Sequence, residues 1–274
     1  MKELNFKSPA FFERLRGMLG VDFYRLFHTP MFCIFLGIAA VIPAMILGTM
    51  GMENPQTGAV AEPLYTNTWH IIAAETPLYV VNNIADYANM NMVFIFGGIM
   101  VSIFIGHDYK SGYVKQLFTT HAKKQDYMLS KTIVGAFSMA CMCIAYMLGA
   151  IGGGFFTGTS FEVNVGSLVI AIISKMVMSL GWASLYTFLN IIFRRYFGVS
   201  IVSCFFFGTG ILIIGAAAIF GNNAILNIFL YGSSVYACLS SSILTLIVCL
   251  ICSAAWTAVY TVAGTRILSK CDVY

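Results

Sequence analysis

The sequence predicts an all-α membrane protein with six transmembrane helices. Three observations carry that expectation. Its 274 residues are 59% apolar and only 9% charged, where soluble domains average about 25% charged. Apolar runs near the ~20 residues that cross hydrocarbon as a helix recur six times. The cations fall between alternate runs. A mean hydropathy of +0.85 excludes a water-soluble enzyme, and 15 Lys+Arg against 11 Asp+Glu are too sparse for a nucleic-acid-binding or disordered chain.

Residues 1–30 come first. Lys2, Lys7, Arg14, Arg16 and Arg25 interleave with Phe6, Phe11, Phe12, Leu15, Leu19 and Phe23. A signal peptide would place one charged cluster directly before an apolar core. This near-helical alternation instead predicts an interfacial helix on the cytoplasmic face.

The spans are predicted at 31–51, 90–106, 132–156, 176–193, 199–220 and 243–264. All but one of the 15 cations lie before the first span, in the segment 107–131, at Arg194 and Arg195, or at Arg266 and Lys270 in the tail 265–274. The excess of Lys and Arg in cytoplasmic loops then puts both termini inside, in a multi-pass protein of the cell membrane. The outer loop 52–89 has Glu53, Glu62, Glu75 and Asp86 but no Lys or Arg. Residues 224–239 are apolar yet short and broken by Asn227, Gly232, Ser233 and Ser234. A span there would invert Arg266 and Lys270, so they read as an outer re-entrant helical element before the last span. Lys175 stands at the outer start of the fourth span, snorkelling to headgroups or touching an acidic substrate group.

The predicted span cores contain no carboxylate, arginine or histidine, so a proton- or ion-coupling site is missing. Pro43 is the single in-span proline and predicts a kink. No H-E-x-x-H zinc motif occurs, and Cys249 and Cys252 form an isolated C-x-x-C pair in an apolar helix, so no metal is expected. The interior polar groups are neutral. Trp182, Tyr186, Asn190, Thr209 and Tyr260 are candidates for lining a pathway or for packing helices, as hydroxyls and amides do in lipid. Gly149 and Gly153 have the spacing of close helix contact.

The longest inner segment, 107–131, places Tyr113, Leu117 and Phe118 on one helical face and Lys115, Lys123 and Lys124 on another. Gly112 permits a turn between span and surface helix, and Asp108 is suited to cap that helix or pair with a basic residue of a partner. Its residues Asp108-Tyr109-x-Ser111-Gly112-x-x-Lys115-x-Leu117, followed by Tyr127 and Ser130-Lys131, resemble the acidic-Tyr-x-Ser-Gly-Thr-x-Lys signature of permease subunits of type-2 ATP-binding-cassette exporters. Permeases serving lantibiotic immunity and small-peptide export are included. The departure is Tyr113, where the family usually has Thr.

The resemblance implies that 107–131 holds a cytoplasmic coupling helix docking on an ATPase subunit, with Asp108, Tyr109, Gly112, Lys115 and Leu117 at or beside the contact. It implies a second permease copy or a related permease, ATP and Mg bound by the partner ATPase, a bacterial plasma membrane, and amphipathic or hydrophobic cargo such as antimicrobial or toxin peptides. No G-x-x-x-x-G-K-[ST] phosphate loop occurs, so the chain is not itself expected to be an enzyme. The alternative is a non-transporting membrane sensor or scaffold that recruits a cytoplasmic partner.

Overall fold

With few breakers inside long apolar runs, the backbone must satisfy its own polar groups, and helices do so within one segment. The computed structural model describes residues 10–48, 92–119, 122–157, 165–210, 212, 229–239 and 242–270, and among them every element is an α-helix. They are α1 (Phe11–His28), α2 (Pro30–Gly48), α3 (Met92–Lys110), α4 (Tyr113–Thr119), α5 (Lys124–Thr157), α6 (Val165–Ile192), α7 (Phe197–Gly208), α8 (Leu230–Leu239) and α9 (Ile243–Lys270).

The first two helices meet at a 65° bend. Thr29 takes extended backbone there, φ −96° and ψ 122°, because a residue before proline is driven out of the helical region. Its hydroxyl donates to the Arg25 carbonyl at 2.6 Å, which satisfies one of the acceptors freed at the end of α1. Pro43 lies inside α2.

Four helical stretches are long and apolar enough to cross a membrane: Met92–Lys110, Lys124–Gly153, Ile172–Ile192 and Ile243–Lys270; α1 with α2, taken as one bent unit, makes a fifth. The described residues thus hold four or five candidate spans of the six expected. The expected span 199–220 begins as the 12-residue α7 and stops at a turn through Thr209 and Gly210. Apart from Leu212 the rest of that span lies outside the described residues, as do the outer loop 52–89, the loop around Glu162, residues 224–228 and the last four residues.

Helix boundaries also differ from the hydropathy reading. Helix α5 starts at Lys124 rather than 132, α6 at Val165 rather than 176, and α9 continues to Lys270. Hydropathy ends where charge begins, but backbone hydrogen bonding carries a helix past that point. At 1.5 Å per residue, the 34 residues of α5 span about 50 Å, well beyond the ~30 Å hydrocarbon layer.

Helix α5 packs against α1, α2, α3, α6 and α9, and the most extensive interfaces are α6 on α9 and α2 on α5. The second is close at Gly149, where any β-carbon would run into the Ala40 carbonyl, as its small-residue spacing anticipated. Trp182 and Tyr186 of α6, Phe94 of α3 and Met139 of α5 fill the main core. Helix α9 contributes Cys249 to this core and turns Ile243, Leu244, Leu250, Ile251, Val259 and Val262 outward.

Candidate functional site

The C-terminal ends of α1 and α3 and the N-terminal end of α5 enclose a group of buried ions. Asp22 and Arg25, three residues apart, lie on one face of α1. Asp108 occupies the last turn of α3, and Lys131 the second turn of α5. The Lys131 ammonium donates to Asp22 Oδ1 at 2.6 Å and lies 2.6 Å from Asp108 Oδ2. Arg25 donates to Asp108 Oδ1 at 2.5 Å, and its other terminal nitrogen is 3.8 Å from Asp22 Oδ1. Ser130 donates to Asp22 Oδ2 at 2.6 Å, and the Tyr127 phenol to Asp108 Oδ2 at 3.3 Å. The side chains of Asp22, Asp108 and Lys131 are wholly buried.

Two cations face two carboxylates, so the group is neutral as a unit. Each buried ion alone would cost several kcal/mol in desolvation, and mutual pairing offsets that cost. Aromatic faces complete the enclosure. The Arg25 guanidinium lies 4.4 Å from the centre of the Tyr113 ring, and the Lys131 ammonium 4.4 Å from Phe104 and 5.3 Å from Tyr127; ring quadrupoles favour cations at such distances. For Arg25, burial opposes the charged form, but Asp108 and Asp22 outweigh it and push the guanidinium pKa up. Burial, reinforced by the same carboxylates and only partly opposed by Arg25, pushes the Tyr113 phenol up as well. It is therefore neutral at physiological pH.

A second pair, Arg14 Nε to Asp126 Oδ2 at 2.8 Å, ties the start of α1 to the first turn of α5. Helix α4 hangs from the same region. Gly112 makes the turn out of α3 with φ +73°, a left-handed conformation that costs residues with a β-carbon. Val114, Leu117 and Phe118 then pack on Tyr127 and Met128 of α5, Ile191 of α6 and Leu268 of α9.

The sequence-predicted set divides. Asp108 is buried and engaged by Arg25 and Lys131 of its own chain, rather than capping the surface helix or awaiting a basic partner. Tyr109 is half-buried against both core clusters, and Leu117 points inward. Lys115 is exposed. The expected single amphipathic stretch is three pieces: the end of α3, the seven-residue α4, and the start of α5, which contains Lys124 and Lys131.

Of the other set, Trp182, Tyr186 and Asn190 make contacts between helices, whereas Thr209 bonds back to the helix it ends and Tyr260 stacks on a ring of its own helix. The Trp182 indole donates to Ser234 of α8 at 2.6 Å, and the Asn190 amide to Ser102 of α3 at 3.0 Å and to the Tyr186 carbonyl at 2.8 Å. Tyr186 is buried with its ring against Gly98 and Gly208. Thr209 donates to the Phe206 carbonyl at 3.0 Å, and Tyr260 stacks on Trp256 at 5.2 Å.

Sequence reasoning missed Asp22 entirely and counted Arg25 and Lys131 only among the inner-side cations, Lys131 also within the family-like signature. The available signal was the Asp22 and Arg25 pair at helical spacing beside Leu26, on the face that α1 buries. The arrangement offers no activated nucleophile or general base. Among the described residues no group of three or more His, Cys, Asp or Glu side chains is placed to hold a metal ion. What it can do mechanically is lock α1, α3, α4 and α5 together. No protein-family model matches this chain, and no curated protein matches it with significant similarity.

Proposed function

We propose that the chain is the permease subunit of an ATP-driven exporter of the type-2 ATP-binding-cassette class. Two copies, or one with a related permease, work with separate ATPase subunits that bind ATP and Mg. In this reading α1 lies on the inner membrane surface, α2 spans alone, α7 and the residues after it complete a sixth span, and 224–239 form the outer re-entrant element. Cargo is amphipathic, peptides above all, and passes between subunits, since Trp182, Tyr186 and Asn190 fill the interior of a single chain.

The observation that carries the reading is the seating of α4. Its inner face grips the ends of α5, α6 and α9, its Lys115 and Gln116 face outward, and the ions behind it reach α1 and α3. A push on this helix reaches five others through rigid packing, which is the mechanical requirement for coupling to a soluble motor.

The test is reconstitution in vesicles with the ATPase subunit that co-purifies with the chain. ATP should drive peptide transport, and Lys115→Glu combined with Leu117→Asp should reduce transport and ATPase association at least tenfold. Unchanged association would sink the coupling role of α4. Accumulation driven by an ion gradient without the ATPase would sink the exporter reading as a whole. A sensor or scaffold would bind a partner through the same surface and transport nothing.

A further inference from the structure

A second basic region differs from the ion cluster in having no counter-charge among the described residues. Between the end of α3 and the turn joining α6 to α7 lies a cavity of about 240 Å³, lined by the exposed Lys110 and Arg195, the half-buried Arg194, and the buried Asn190 and Ser200. No carboxylate lines it. The described ion pairs engage Asp22, Asp108 and Asp126 with Arg14, Arg25 and Lys131, and none reaches these three cations. Among the described residues Arg194 Nη1 is buried without a hydrogen-bond partner, an unfavourable state for a charged group unless something occupies the cavity. The Lys110 ammonium is held 4.4 Å from the centre of the Phe197 ring, and so stays beside the cavity.

The 12-residue α7 starts at the same place, and its N-cap Tyr196 makes no side-chain capping bond. The first amides of that helix and its positive dipole end therefore add to the field of the three side chains. Planar guanidinium groups match the oxygens of a tetrahedral oxyanion. We infer that this cavity binds a phosphate group, with Arg194 and Arg195 as its charge partners and Lys110 as a third cation in its lining. The group belongs either to an anionic phospholipid of the inner leaflet or to free phosphate, because a cavity at the helix ends is within reach of both. The inference does not depend on the exporter reading.

The test uses the purified full chain. Inorganic phosphate is titrated in detergent while the melting temperature is followed. In parallel, native mass spectrometry counts phosphatidylglycerol retained from nanodiscs of phosphatidylcholine with and without that lipid. Stabilisation by phosphate assigns the free ion, and selective retention of phosphatidylglycerol assigns the lipid. In either case Arg194→Gln with Arg195→Gln should weaken binding tenfold or more, about 1.4 kcal/mol. Failure of both probes to bind, wild-type affinity in the double variant, or equal stabilisation by chloride at matched ionic strength would each overturn the site. Should the double variant not fold, Arg195→Gln alone decides, since that side chain is exposed: a lowered affinity supports the site and an unchanged one overturns it.

Discussion

Lys131 is shared between two carboxylates, being 2.6 Å from both Asp22 and Asp108. Lys131→Met would leave those two facing each other with only Arg25 nearby, so it should destabilise the protein by about 3–5 kcal/mol. Thermal unfolding in detergent reads this, and an unchanged melting temperature would mean that the ions are dispensable. Adding Asp22→Asn removes one charge of the opposite sign and should recover part of the loss, since neighbours within one network are not additive. The Tyr113 ring lies under Arg25 and within 5.7 Å of Lys131. Tyr113→Thr should therefore cost about 0.5–2 kcal/mol, less than the loss of Lys131 in the same assay.

Two glycines carry the predictions at the scale of helices. Gly112→Val forces a β-branched residue into φ +73°, at a cost of about 1–3 kcal/mol, and should release α4 from α5, seen as faster amide exchange in α4 with α5 unchanged. Gly149→Leu should separate α2 from α5 and lower stability by about 1–3 kcal/mol or more, because the obstacle is the Ala40 backbone rather than a movable side chain. Helices α2, α3, α5, α6 and α9 were legible because each is apolar along most of its length, whether its side chains face the core or, as in much of α9, face outward. Their ends were not, because the Lys124 to Lys131 turns of α5 are polar in sequence yet helical and largely buried. The ion cluster was illegible for a related reason. Its partners stand 83 and 109 positions apart, and hydropathy scores each residue without its counter-ion, so buried charges pass for solvated ones.

For the molecule as a whole, the asymmetry of charge makes a claim about orientation. A cysteine placed at the exposed Lys123, in a variant freed of native cysteines, should react with a membrane-impermeant maleimide only after the cells are opened, and one at Glu162 in intact cells. Labelling in the reverse pattern would invert the topology. The ion cluster also has a bearing on biogenesis. Asp22 and Arg25 leave the ribosome long before Asp108 and Lys131, so their charges stay hydrated while the first apolar helices enter the bilayer. Docking of the amino-terminal helix is thus a late event, gated by synthesis of α5. Nascent chains arrested before residue 124 should expose it to protease, whereas chains arrested after α5 has entered the bilayer should protect it.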